Sequence, residues 1–229
     1  MSIPTPTNPI IISIEGNIGS GKSTLLDKLK DEYKNDSSIC FIQEPISIWN
    51  TIKDSSGITI LEKYYEDQER YAFSFQMMAY ITRLSILRKA LNNNYRIIFM
   101  ERSIYTDSSV FAKMLYDDKK IEDIEYTIYT HWVKEFIDDI PDISFIYVRA
   151  NPEVSNDRVI KRGRQGESIP LEYLTNCHNY HEEWLNKNNH NVLILDANSD
   201  INDTGIFDKW VQDINAFTNI KTNSYRIFH

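Results

Sequence analysis

The stretch Ile10–Thr24, IIISIEGNIGSGKST, decides the fold. It opens with an almost wholly apolar run that is typical of a buried strand, and residues 16–23 then match the pattern G-x-x-x-x-G-K-[ST]. Three of the chain's seven glycines lie within residues 16–24, so backbone freedom is concentrated where the chain must fold tightly. In this context the pattern indicates a loop that wraps around phosphates, followed by a helix whose N-terminus faces the anion. The alternative is a glycine-rich turn that only caps a helix.

The residue types of this loop assign specific contacts to a bound nucleoside triphosphate. Lys22 would reach the β- and γ-phosphates, and the Ser23 hydroxyl would hold Mg²⁺. The predicted triphosphate-binding residues are Gly16, Asn17, Ile18, Gly19, Ser20, Gly21, Lys22, Ser23 and Thr24.

Length and composition describe a globular protein with an acidic surface. The chain has 229 residues, of which 41% are hydrophobic and 25% charged, which fits one α/β domain or at most two small ones. The net charge is −8, which argues against a nucleic-acid partner because such affinity comes mainly from neutralising phosphates. Small anionic ligands remain possible, since a local basic cluster can oppose the overall sign.

Cysteine usage and hydropathy give expectations about the compartment. Cys40 and Cys177 lack metal-ligand spacing, so we expect reduced core thiols in a cytoplasmic protein. There is no run of about 18 apolar residues, so we expect no membrane partner. We predict a flexible arm at 1–9, a single domain at 10–220 and a tail at 221–229.

Five apolar runs are typical of strands with both faces covered. They are Ile10–Ile14, Ile39–Gln43, Arg96–Met100, Ser144–Val148 and Val192–Leu195. Helical segments separate them, so we predict a doubly wound α/β fold with a five-stranded parallel sheet.

Charged residues follow each predicted strand. Ligands of open α/β sheets bind in the crevice at the carboxyl ends of the strands, so these residues predict an active site there. They are Glu15-Gly16, Glu44-Pro45, Glu101-Arg102, Val148-Arg149 and Asp196. For Arg149 and Asp196 a solvated strand end is the simpler interpretation.

The segment Leu61–Leu91 contains neither glycine nor proline and is predicted to be one long helix. At 100° per residue, a single narrow stripe carries polar side chains separated by alanines. Its members are Tyr65, Ala72, Gln76, Ala79 and Arg83. Such a stripe can hydrogen-bond a flat heterocycle; the alternative is a solvated helix face, with Phe75 as plain core.

A basic segment stands out in the acidic chain. It contains Arg158, Lys161, Arg162 and Arg164, with Gly163 and Gly166 beside them. Flexible arginines of this kind can close over a nucleotide and stabilise charge on a transferred phosphoryl group. A solvated basic helix end is the alternative.

Over residues 10–200 the sequence resembles the deoxynucleoside kinases of the deoxycytidine and deoxyguanosine kinase type. The motifs that carry the resemblance stand in the family's order. They are residues 16–24, Glu44-Pro45 with Trp49, ERYAFSFQ at 69–76, ERSIYTD at 101–107, RGR at 162–164 and IPLEYL at 169–174. The resemblance implies a P-loop kinase fold with an arginine-bearing lid, and transfer of the γ-phosphoryl group of ATP to a deoxynucleoside 5′-hydroxyl.

The resemblance also implies roles for individual residues. Glu44 would be the general base, and Arg102 would lie beside the same hydroxyl. Glu101 would be a further catalytic residue that holds Mg²⁺, with the role of proton acceptor as the alternative. Tyr65 and Glu167 would bind the sugar 3′-hydroxyl. The residues implied around the base are Phe75, Gln76, Ala79, Arg83, Asp107 and Phe111. Those implied around ATP, besides the loop, are the lid arginines Arg158, Arg162 and Arg164 together with Asp200.

The expected substrate depends on Ala79, Arg83 and Asp107. A charged Arg–Asp pair can present donors and an acceptor to a purine edge, so deoxyadenosine or deoxyguanosine is predicted, with deoxycytidine next and thymidine poor. Family membership also implies a homodimer, for which residues 104–137 could supply a face; core burial would explain those residues equally well.

Two other function classes share part of this pattern. A GTPase-like switch shares the phosphate loop but needs a guanine-reading Asn-Lys-x-Asp segment, which this sequence lacks. A nucleoside monophosphate kinase needs a basic pocket for the acceptor phosphate, whereas Glu44 favours an uncharged acceptor.

Overall fold

The predicted first strand is β1, Ile10–Glu15, and it lies at the centre of a five-stranded parallel sheet. The computed structural model describes residues 9–164, 169–187 and 191–226, with side chains of the last helix described to 218. The other strands are β2 (Ile39–Ile42), β3 (Ile97–Glu101), β4 (Ile143–Arg149) and β5 (Val192–Asp196), in the order β2-β3-β1-β4-β5. All five predicted strands are confirmed to within one residue at each end.

Helices cover both faces of this sheet. They are α1 (Lys22–Glu32), α2 (Ile46–Trp49), α3 (Ile60–Glu66), α4 (Gln68–Leu91), α5 (Ile104–Thr106), α6 (Lys113–Asp117), α7 (Asp123–Ile137), α8 (Pro152–Arg162), α9 (Leu171–Lys187) and α10 (Ile206–Arg226). Between α5 and α6 the chain forms a π-helical segment, Asp107–Ala112. None of the helices in the described ranges is long and apolar enough to cross a membrane.

The core is divided by the sheet because successive strand residues face opposite sides. On one side Ile11 of β1 packs with Leu84 of α4 and Tyr129 of α7. On the other side Ile12 packs with Leu25 of α1 and Ile214 of α10. Both faces of β1 are therefore buried, and the doubly wound α/β fold is confirmed.

The prediction of one continuous helix over Leu61–Leu91 is wrong. Asp67 ends α3 with φ −144° and ψ 85°, and its carboxylate caps the next helix by accepting a hydrogen bond from the Arg70 N–H at 3.1 Å. Aspartate favours such caps because its short side chain satisfies a backbone donor at the helix start. Tyr65 consequently lies on α3, and the polar stripe of α4 begins at Ala72.

The division into arm, domain and tail stays a prediction. Helix α10 continues to Arg226, past the predicted end of the domain at residue 220. The proposed arm lies almost entirely outside the described residues, as do Gly166 and Glu167.

Candidate active site

The phosphate loop joins β1 to α1 as its pattern predicts. Gly16 has φ +143°, and a Cβ there would lie 2.5 Å from the Val148 carbonyl oxygen of β4, so only glycine fits. Gly21 is the residue before α1 with φ +105°, and no described side chain caps that helix. The first N–H groups of a helix have no partner within it, so this end of α1 can receive the anion that the loop pattern predicts.

Lys22 lies in the first turn of α1 and is almost completely buried. Its ammonium group donates to the Asn17 carbonyl oxygen at 2.6 Å. Burial, with the positive charge of Arg102 in support, lowers the pKa of Lys22 to about 7, although nearby carboxylates act in the opposite direction. A bound polyphosphate would supply the negative charge that this site lacks.

Ser23 and Glu101 come together at the end of the sheet. The Ser23 hydroxyl donates to the Glu101 carboxylate at 2.6 Å, which joins α1 to the last residue of β3. Hard oxygen donors of this kind suit Mg²⁺, which commonly takes one or two protein ligands and fills its shell with phosphate oxygens and water. In the described ranges there is no group of three or more His, Cys, Asp or Glu side chains that could hold a metal ion.

Glu44 follows β2 and is held by two arginines. Its carboxylate accepts from Arg102 at 2.7 Å and from Arg83 at 3.3 Å. Burial by itself would raise the pKa of Glu44, but Arg102, Arg83 and Lys22 outweigh it and lower the pKa to about 2. Glu44 is therefore ionised at neutral pH and able to accept a proton.

Arg83 connects this carboxylate to a second one, that of Asp107 in the π-helical segment. Its guanidinium donates to the two Asp107 carboxylate oxygens at 2.9 and 3.2 Å, in a bidentate pair. Both side chains are only 2% exposed. Although burial opposes it, the charges of Asp107 and Glu44 raise the pKa of Arg83, so the guanidinium stays charged.

One cavity of about 430 Å³ contains these groups. It extends from the phosphate loop to the buried face of α4, where Phe75, Gln76 and Ala79 line it. A solvated face of α4 is therefore excluded for this stripe, because Ala72, Gln76, Ala79 and Arg83 are all buried. Tyr65 and Phe111 also line the cavity, as predicted, although Tyr65 approaches from α3.

Three buried polar atoms of the cavity lining have no hydrogen-bond partner among the described residues. They are Ser20 Oγ, Gln76 Oε1 and Arg102 Nε. Buried polar groups are normally paired, so unpaired atoms on three residues that line one cavity favour a polar ligand there. Ser20 belongs to the phosphate loop, Arg102 lies beside Glu44, and Gln76 lies on the α4 wall of the cavity. This is the layout expected for a ligand with a phosphate, an alcohol and a heterocycle.

The structure describes the basic segment as far as Arg164. Arg158, Arg162 and Arg164 all line the cavity at the phosphate-loop end, together with Asp200. Arg158 additionally joins two loops, since it donates to the Ser20 carbonyl at 3.1 Å and to the Ser199 carbonyl at 3.0 Å. Of the loop residues, Asn17 has a mainly internal contact, because its amide donates to the Leu174 carbonyl of α9 at 2.8 Å.

Sequence reasoning missed several aromatic residues of the cavity. Tyr64 of α3 and Tyr173 of α9 share a hydrogen bond between their hydroxyls at 2.9 Å, and Tyr64 stacks on Phe75. Trp49 of α2 meets Phe75 edge to face. Periodicity carries no signal for such contacts, since Tyr64 and Tyr173 are 109 residues apart.

Comparisons with known proteins show the family of the chain. A model of the family described as deoxynucleoside kinase matches residues 12–219. The chain is 37% identical to the fowlpox virus protein named "Probable deoxycytidine kinase", over 93% of this chain and 86% of that protein. It is 35% identical to deoxycytidine kinase 1 of Xenopus laevis, over 84% and 83%. It is 32% identical to the mitochondrial deoxyguanosine kinase of Xenopus laevis, over 77% and 73%.

Proposed function

The chain belongs to the deoxynucleoside kinase family, and on that premise we propose that it transfers the γ-phosphoryl group of ATP to a deoxynucleoside 5′-hydroxyl, with Glu44 as general base. The observation that carries the proposal is the partly buried Glu44 carboxylate, paired with two arginines, in the same cavity as the phosphate loop, whose helix α1 has no side-chain cap among the described residues. An acidic group on the acceptor side suits a neutral alcohol and repels an acceptor that already carries a phosphate.

The proposed reaction requires alignment and charge stabilisation more than covalent help from the protein. Glu44 takes the proton of the 5′-hydroxyl as its oxygen attacks the γ-phosphorus, and the bond to the β-phosphate oxygen breaks to release ADP. Arg102 keeps Glu44 ionised, and its positive charge would stabilise the transferred group. Lys22, Arg162 and Arg164 balance the charge that spreads over the phosphates.

Ser23 and Glu101 would hold Mg²⁺, which neutralises phosphate charge when bound. Asp200 and its neighbours after β5 line the donor end of the cavity and would contact the adenine. Tyr65 would hold the sugar 3′-hydroxyl; its proposed partner Glu167 lies outside the described residues.

We propose that deoxypurines are the preferred acceptors. The Gln76 amide can offer a donor and an acceptor to a base edge, and its Oε1 has no partner among described residues. Asp107 accepts from an exocyclic amino group, whereas the carbonyl oxygen of thymine would face a carboxylate. The small Ala79 side chain leaves room for a two-ring base.

Deoxycytidine is the competing acceptor, because cytosine also presents an amino group beside a ring acceptor. The names of the relatives favour it, since two of the three described above are called deoxycytidine kinases. A preference for deoxypurines and a preference for deoxycytidine would both use the Arg83–Asp107 pair, and both would make thymidine a poor substrate.

We also propose that the protein is a cytoplasmic homodimer. Helix α7 carries an exposed apolar stripe of Ile124, Ile128 and Trp132 at four-residue spacing, and these are 67%, 43% and 43% exposed. Contiguous apolar surface of this kind marks protein interfaces. A second copy of the chain is the occupant that the family resemblance implies.

The experiment that tests the function measures ADP release with a panel of acceptors. The panel contains the four deoxynucleosides and their 5′-monophosphates. The proposal expects turnover with deoxynucleosides only, with kcat/KM highest for deoxyadenosine or deoxyguanosine and lowest for thymidine. Turnover restricted to the monophosphates would overturn the proposed role of Glu44, and a maximum for deoxycytidine would overturn the purine preference alone.

A further inference from the structure

The residue that holds Glu44 has an unusual backbone. Arg102 follows β3 with φ +59°, and Lys119 is the only other described non-glycine residue with a positive φ. This conformation is sterically unfavourable for a residue with a Cβ and persists where surrounding contacts enforce it. Here it aims the Arg102 guanidinium at Glu44 and lays it over the Phe111 ring at 5.0 Å.

A buried carboxylate lies directly behind this turn. Glu15, the last residue of β1, is completely buried and accepts three hydrogen bonds. The Ser103 N–H donates to it at 3.0 Å and the Ser13 hydroxyl at 2.7 Å. The third donor is the Thr106 hydroxyl.

Two of these three donors belong to the turn that follows Arg102. Ser103 is the residue after it, and Thr106 ends α5. On the other side, the Arg102 N–H donates to the Ile14 carbonyl at 3.0 Å. The end of β1 therefore holds Arg102 from both sides, by the Ile14 backbone before it and by the Glu15 side chain after it.

We propose that Glu15 is a positioning residue for phosphoryl transfer, whose carboxylate holds the 103–106 turn so that Arg102 keeps its contact with Glu44. Glu15 is completely buried and is not among the residues that line the cavity, so in this proposal it acts only through Arg102. The inference rests on the proposed function, because it assigns the benefit of this contact to catalysis.

A purely structural role would look different from a positioning role. Loss of a buried hydrogen-bond acceptor would lower stability in either case. If Glu15 acts through Arg102, its removal costs activity only while Arg102 is present. A double-mutant cycle separates these outcomes, since residues that act as a unit show non-additive effects.

The experiment compares kcat of the wild type, Glu15→Ala, Arg102→Ala and the double variant, with thermal unfolding measured in parallel. We expect Glu15→Ala to lower kcat by about tenfold or more in the wild-type background and by less than about twofold in the Arg102→Ala background. An equal loss of kcat in both backgrounds would overturn the proposal.

Two further variants keep the test independent of folding. Thr106→Val removes one hydroxyl donor and preserves the side-chain shape, so it should lower kcat in the presence of Arg102 and not in its absence. Ser13→Ala removes the donor that lies on the strand side, and it should leave kcat unchanged in both backgrounds. If Glu15→Ala does not fold, the Thr106→Val cycle decides the question, and additive effects there count against the proposal.

Failure of this inference is distinguishable from failure of the proposed function. Near-normal turnover of Glu44→Gln would remove Glu44 as the base, whatever the cycle shows. If Glu44→Gln loses kcat as expected but the effects of Glu15→Ala and Arg102→Ala on kcat are additive, only the positioning role of Glu15 is rejected.

Discussion

Glu44 shows how the meaning of a single residue depends on its neighbours. The sequence indicates an acidic residue at a strand end, the family resemblance adds Arg102, and the fold adds Arg83 as the second arginine that keeps the partly buried carboxylate ionised. The Glu44–Arg102 contact joins residues 58 positions apart, so no local pattern reveals it.

Replacement of Glu44 by glutamine tests the base. Glutamine preserves the shape but cannot take the hydroxyl proton, so kcat should fall by about 10²–10⁴-fold while the deoxynucleoside Kd changes by less than about threefold. Steady-state kinetics and equilibrium binding measure the two quantities.

The matched control is Glu69→Gln, which alters a glutamate on the exposed side of α4 that pairs with Lys120. This variant should keep wild-type kcat. Near-normal turnover in Glu44→Gln would remove Glu44 from the base role.

The lowered pKa of Lys22 predicts that nucleotide binding is linked to proton uptake. Because burial lowers the pKa of Lys22 to about 7, the side chain is mostly neutral in the free protein at pH 8.5. Bound phosphates favour the charged form and raise this pKa, so ATP binding at pH 8.5 should take up close to one proton. Calorimetric titrations in two buffers of different ionisation enthalpy give that number.

Lys22→Arg provides the control for this measurement. Arginine is always protonated, so the side chain at position 22 of this variant should take up no proton when ATP binds. An observed binding enthalpy for the wild type that is independent of the buffer would contradict the expected linkage.

At the scale of elements, the strands and the phosphate loop were predictable because their signals are local. Apolar runs bounded by charged residues define the strands, and the glycine spacing defines the loop. The break between α3 and α4 was not predicted because Asp67 replaces the glycine or proline that usually ends a helix. Its one local signal, a carboxylate three residues before Arg70, is common in uninterrupted helices as well.

Asp67 gives a prediction at this scale. Asp67→Ala removes the cap of α4 and should lower the free energy of unfolding by about 1 kcal/mol. Asp67→Asn keeps a side-chain oxygen that accepts from the Arg70 N–H, so it should lower the free energy of unfolding by less than Asp67→Ala does. Denaturant unfolding of the three proteins measures both values, and equal stability of Asp67→Ala and the wild type would show that the cap is unimportant.

At the scale of the whole molecule, the sheet order explains why distant motifs meet. The phosphate loop follows the central strand β1, and Glu101-Arg102 follows its neighbour β3. Glu44 follows β2 on the far side of β3, so the carboxyl ends of three adjacent strands deliver the base, the arginine and the anion site. The sequence predicts this rim, but it does not predict the aromatic wall of Tyr64, Tyr173 and Trp49, which depends on packing between helices.

The exposed apolar stripe of α7 predicts that two copies of the chain associate through this helix. Trp132→Glu places a charge in the proposed interface and should convert a dimer to a monomer, as measured by sedimentation velocity. Ile160→Glu is the control, because Ile160 is a 69% exposed residue on α8, away from the stripe, and its replacement should leave the dimer intact. A monomeric wild type would contradict the proposed dimer.

The most direct measurement of the central claim is a crystal structure with a deoxynucleoside and ADP bound together. The account predicts that the 5′-oxygen lies about 2.6–3.2 Å from the Glu44 carboxylate and faces the phosphate loop. A 5′-oxygen outside hydrogen-bonding distance of Glu44, with the sugar turned away from the phosphates, would contradict it.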